Sequence, residues 1–310
     1  MANIKLRSPY MIYSTSTSSA AYSILTLNIE GVDRYTLRKN VDSSYGALWG
    51  ISELSRDYLD ITFDGTYPTG TNSQYIDIIA TIGFYTSADA LIGSLTSYVN
   101  DGFDSWSEFS EGVNKTMNTF SLAQSNSTMY VPDNTSGVIP SFGVTGILYN
   151  SFNTTDTSKV VGQGITVTIV RICEPKYNPI KVTFVNKYGA LQDLWFDKKS
   201  TEELQVKRNQ YNASTISTTG TYSTTEHAKG VIDVVGNEGI TMSTGFVDES
   251  MNEVFKELLL SEQCWLTISS TIYPINVKDS SLKYKTSLND RLVNFTIQFD
   301  YAFNLINNIS

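Results

Sequence analysis

The sequence predicts a mostly β protein: an antiparallel β-sandwich or barrel over residues 1–173, then a β-plus-helix domain over 174–310. Three observations predict it. Apolar residues recur at period two in most of the apolar segments, as they do in half-buried strands. The chain carries 19 Tyr and many Thr, residues that fit a pleated surface. Only one segment has a convincing helical stripe. At 310 residues the chain is long enough for two cores, and its 41% hydrophobic content supplies them.

Taken in order, "AYSILTLNIEG" sets Ile24, Leu25, Leu27 and Ile29 among smaller or polar residues and predicts a strand. "ISELSRDY" predicts a short helix with Ser52 as its N-cap. "YLDITFDG" places Leu59, Ile61 and Phe63 at strand spacing before an Asp64-Gly65 turn, and "YIDIIATIGFY" continues the strand pattern. Residues 87–160 read as long loops, with a short helix in "SADALIGSLTSYV" from Leu91, Leu95 and Val99. "GITVTIVRI" at 164–172 is a strong strand.

"KVTFVNKYGALQDLWF" predicts a packed hairpin, with Gly189 taking a turn conformation that other residues resist. The polar stretch at 207–225 suits an exposed hairpin arm or an extended loop. "GVIDVVG" and "GITMSTGFV" read as two strands. In "ESMNEVFKELLLSE", Met251, Val254, Phe255, Leu258 and Leu259 form one helical stripe, and Ser250 with Glu253 fits a capping box. "CWLTISSTIYPINV", "SSLKYKTS" and "RLVNFTIQFDYAF" predict strands, the last with Val293, Phe295, Ile297, Phe299 and Tyr301 on one face.

The chemistry-bearing residues are sparse, and no catalytic, cofactor or metal site is assigned. The lone histidine, His227, sits in polar "TTEHAKG", and no G-x-S-x-G elbow accompanies it. Cys173 and Cys264 are the only cysteines, expected as thiols in separate domains. Phosphate-binding glycine loops are absent from the sequence. Acids clustered at Asp57, Asp60 and Asp64, and at Glu108 and Glu111, fit caps and solvated faces better than a glycosidase pair. The net charge of −9 disfavours wrapping nucleic acid. No run of 18 apolar residues and no signal peptide are visible, so neither membrane insertion nor export is expected.

Four stretches carry a resemblance: "LRSPYMIY" (6–13), "ISELSRDYLDITFDG" (51–65), "KVTFVNKYGALQDLWFDKKS" (181–200) and 258–306 from "LLLSEQCWLT" onward. They resemble structural proteins of tailed bacteriophages of the crAss-like podovirus type. The resemblance implies a C-terminal β-barrel-with-helix module like that of tail-tube and hub proteins. It further implies a non-enzymatic virion subunit made in the bacterial cytoplasm and built into a neck or tail ring of six or twelve copies. Its neighbours would be portal, neck and tail proteins, with genome DNA passing by without specific binding. The alternative is an appendage protein whose Tyr- and Asn-rich loops bind a receptor or glycan.

Within the ring reading, Tyr188 and Trp195 are candidate subunit contacts, because aromatic residues favour interfaces. Glu202, Glu203, Glu226 and Asp300 are candidate acids for a channel wall that repels phosphate. A wall of Lys176, Lys181, Lys198 and Lys199 would instead grip DNA.

Overall fold

A computed structural model describes residues 11–16, 18–58, 61–68, 76–99, 122–143, 147–162, 164–173, 177–213, 216, 218–221, 224–279 and 292–303. The protein is mostly β, with 59% of it in strands and 7% in helices, and its sheets are antiparallel wherever the strand registers are defined. The chain divides into two compact units, Met1–Arg171 with Phe184–Asp193, and Ile172–Thr183 with Leu194–Ser310.

The first unit opens with β1 (Met11–Thr15), β2 (Tyr22–Ile29), β3 (Val32–Asn40) and β4 (Gly46–Gly50), then helix α1 (Ser52–Arg56). β5 (Ile78–Tyr85) and β6 (Leu91–Val99) complete a sheet of order β3-β2-β5-β6, and β1 pairs with β4. Leu25, Leu27, Ile29, Ala80 and Ile82 are fully buried in one cluster with Ile12, Trp49 and Ile51. β7 (Thr128–Pro132), β8 (Gly137–Phe142), β9 (Ile147–Phe152), β10 (Ser158–Val161) and β11 (Ile165–Ile172) make two smaller sheets, β10-β11-β7 and β8-β9.

Several expectations need correction here. "SADALIGSLTSYV" is strand β6, not a helix, and the stretch read as loops at 87–160 carries β6 to β10. Leu91 and Leu95 stand four apart, which puts two residues on one face of a strand as surely as of a helix. Ser52 is the first residue of α1 rather than its cap; Ile51 holds that place with no side-chain bond. Ile61 and Phe63 are buried as the alternation implies, but 61–68 forms no ladder, and Leu59, Asp60 and Tyr75 lie outside the described residues.

A sheet of order β13-β12-β16-β17-β18-β15-β14 contains β12 (Ile180–Val185), β13 (Leu191–Phe196), β14 (Thr201–Asn212), β15 (Lys229–Asp248), β16 (Cys264–Ile268), β17 (Thr271–Val277) and β18 (Leu292–Tyr301). The two strands expected in 230–247 are one 20-residue strand, β15. Helix α2 (Asn252–Leu259) follows β15 and buries Val254, Phe255 and Leu258. The capping box does not form. A 3-10 turn at Glu249–Met251 precedes α2, and Asp248 caps that turn by accepting from Ser250 N at 2.8 Å. Phe255 stacks on Phe295 with centroids 3.9 Å apart, and Phe196 meets Phe299 edge-on. The strand expected at 280–287 lies outside the described residues.

One turn recurs three times. In Asp42–Gly46, Thr86–Ala90 and Asn186–Ala190, the first residue's N–H donates to the fifth residue's carbonyl at 2.8–2.9 Å. Its side-chain oxygen accepts from the N–H groups two and four residues on. The fourth residue has positive φ: Tyr45 at 58°, Asp89 at 61° and Gly189 at 81°. This is a type I turn closed by a left-handed residue, with an Asx- or ST-turn added. It explains why the sequence shows D/T/N-x-x-x-G/A between apolar runs.

Among the described residues no helix is long and apolar enough to cross a membrane. Cys173 is exposed and Cys264 buried, and both are thiols rather than a disulfide.

Candidate functional site

The 12 residues of β14 are all exposed, yet the strand pairs with β15 along its whole length, Thr201 opposite Thr241 through Asn212 opposite Lys229. β14 and the outer half of β15 therefore form a two-stranded ribbon that carries little core. Beyond it, Ala213 N–H donates to the Ala228 carbonyl at 2.9 Å and closes the ribbon's end. The arm expected from the polar stretch at 207–225, and over 201–226 as a whole, is this ribbon, which starts at Thr201.

Pairing register sorts the ribbon's side chains into two faces. One face carries Glu202, Leu204, Val206 and Arg208, opposite Ile240, Glu238, Gly236 and Val234. The other carries Glu203, Gln205, Lys207 and Asn209, opposite Gly239, Asn237, Val235 and Asp233. Ile240 and Met242 are buried core residues, so the first face prolongs the core face of the sheet outward. Leu204 is 54% exposed and Val206 40%, and Val231 and Ile232 are exposed further along. The register slips at Asn209/Gln210, opposite Ile232 as the extra residue, and such a bulge adds twist. Near the far end the Tyr211 ring lies over its opposite number, Gly230, in the space a side chain there would take.

The candidate acids fall into two groups. Glu203 pairs with Gly239, Gly239 pairs with Asp300, and Asp300 pairs with Asn276, which sets Glu203 and Asp300 in one row across the sheet. Lys278 reaches Asp300 at 3.3 Å. Glu202 and Glu238 act on Tyr301, whose hydroxyl pKa is raised first by burial and then by these two charges. Glu226 is exposed in the turn between β14 and β15, away from that row. Of the basic alternatives, Lys198 bonds the buried Asp197 at 2.8 Å, Lys199 is exposed, Lys181 is half-buried, and Lys176 lies outside the described residues.

Tyr188 is half-buried in the turn at 186–190, edge-on to Phe142 at 5.7 Å, with Ala123 and Ala190 beside it. Asn186 anchors that turn, being fully buried and donating to the Ala123 carbonyl at 2.7 Å and to Gln192 at 3.0 Å. Tyr67 donates to Asp193 at 2.6 Å on the same hairpin. Trp195 is half-buried on β13, the opposite edge strand from β14. His227 is exposed, and Glu108 and Glu111 lie outside the described residues. Among the described residues no group of three or more His, Cys, Asp or Glu is placed to hold a metal ion.

Sequence reasoning named Glu202 and Glu203 but missed Leu204, Val206, Lys207 and Arg208 beside them. Their signal was present: two acids and two bases spaced symmetrically about Gln205. No protein-family model, curated protein or solved structure matches the chain.

Proposed function

We propose that this chain is a non-enzymatic structural subunit of a tailed-phage virion, forming an oligomeric ring in the neck or tail around the DNA channel. The ribbon carries the reading. A two-stranded ribbon is marginally stable by itself in water and adds almost no core. A chain that keeps 12 exposed residues in ladder, with Leu204 and Val206 facing solvent, has a surface suited to contacts with other chains.

The acids at the ribbon's base suit a channel wall. Glu203 and Asp300, in one row on the same face, would repel phosphate and let the genome slide past. The tail-tube-like character of the C-terminal module, with α2 following β15 at the end of its long strand, belongs to the same proposal. Electron microscopy of the assembled chain tests it. The expected result is a closed ring of six or twelve copies whose inner wall carries more Asp and Glu than Lys and Arg. A trimer, or a subunit at the particle's periphery with no channel-facing surface, would overturn it in favour of a receptor- or glycan-binding appendage.

A further inference from the structure

Among the described residues β14 is the outermost strand of the seven-stranded sheet, and its charges are arranged as their own complement. We propose that the ribbon joins two copies of this chain, β14 lying antiparallel against the partner's β14 with Gln205 on the two-fold axis. This stands on the ribbon alone and not on the virion reading.

Symmetry restricts the register. An antiparallel edge pair between identical strands needs a two-fold axis normal to the sheet, which keeps each side chain on its own face. Opposed residues share a face, so their numbers must differ by an even count. Among those registers, the one centred on Gln205 matches all four charges of the strand. Glu202 then opposes the partner's Arg208, and Glu203 opposes the partner's Lys207. Leu204 opposes the partner's Val206, so the two exposed apolar side chains cover each other. Centring on Leu204 or Val206 instead sets acids and bases against uncharged residues.

The joined ribbons form a four-stranded sheet, β15-β14-β14-β15, with one body at each end. Unpaired backbone groups on the edge of β14 find partners from Thr201 to Asn209. The contact is isologous, and a closed assembly of six or twelve copies can hold it as the pairs of a dihedral arrangement.

The full chain should sediment as a dimer, or as an even-numbered assembly, at micromolar concentration. Glu203→Lys sets a new ammonium against the partner's Lys207 twice per pair, and should weaken association about tenfold. Lys207→Glu should do the same, and the double variant E203K/K207E should restore it. The restoration separates lost pairing from lost folding. In a Cys173→Ser background, Gln205→Cys should form a disulfide-linked dimer on mild oxidation, because directly opposed Cα atoms are about 4.5–5.5 Å apart. Asn209→Cys should not, since its own copy across the axis lies about 27 Å away. A monomer at all concentrations overturns the proposal and makes the charges a guard against edge pairing. Association unaffected by either charge reversal, or an oligomer in which the Gln205→Cys variant does not cross-link, also overturns it.

Discussion

β18 and β14 pair with β15 on opposite sides, and both are antiparallel to it. β18 buries Val293, Phe295, Ile297 and Phe299 at every second position, against α2 and β13 side chains such as Phe255 and Phe196. β14 buries nothing. The two strands share a backbone partner and differ in what lies over their faces. β15 itself shows the same division, mostly exposed from Lys229 to Val235 and largely buried from Gly239 to Val247. Ladder hydrogen bonds thus shape the ribbon, while side-chain burial stabilises the body.

That contrast can be broken most severely at Phe299. It is fully buried, and Phe299→Ala should cost about 3–5 kcal/mol through lost transfer energy and a cavity. Equilibrium denaturation reads this directly; a loss below about 1 kcal/mol would mean that β18 is not the core strand described.

Asn186→Ala comes next. It strips partners from the Ala123 carbonyl, Gln192 and the N–H groups of Tyr188 and Ala190, and should cost about 2–3 kcal/mol in the same assay.

A smaller effect is expected at Asp42, which holds the first of the three matching turns. Its carboxyl is kept below the ordinary value by the Gly46 N–H first, with Ser44 N–H and the Tyr13 hydroxyl helping and burial opposing. A carboxyl with a lower pKa folded than unfolded adds stability above the unfolded value, about 3.9, and loses it as pH falls through the folded one. Asp42→Asn should therefore melt below the parent at neutral pH, and the gap should close below about pH 4. A gap constant across the acid range would exclude the charged turn as its source.

Leu204→Ala should change least. Folding stability of the unassembled chain should stay within about 0.5 kcal/mol of the parent, although the residue is a large apolar one in a regular strand.

Legibility followed the same division. β2, β18 and the stripe of α2 were readable because one face of each meets a core, which forces the period. The hairpin turn at 186–190 was readable from Gly189. Strands β6 to β10 were not, because their apolar residues come in short runs set among Ser, Thr and Asn. In β9, Ile147–Phe152, only Phe152 is buried, so no alternation reaches the sequence. The helix start was misplaced because Ser250 and Glu253 fit one motif while Asp248, two residues earlier, offered a better-placed acceptor. At the candidate site, the acids were legible as charge. Their relation to Lys207 and Arg208 was not, because it appears only once β14 is known to be the outermost described strand of its sheet.

The most direct test compares the full chain with one whose ribbon is trimmed, an Asn-Gly turn replacing residues 205–237 to join Leu204 to Glu238, which oppose each other in the ladder. Melting and sedimentation are measured on both. If the ribbon serves assembly, the trimmed chain melts with the parent's unassembled form and stays monomeric where the parent associates. A trimmed chain that fails to fold, or that associates as the parent does, would contradict that division of labour.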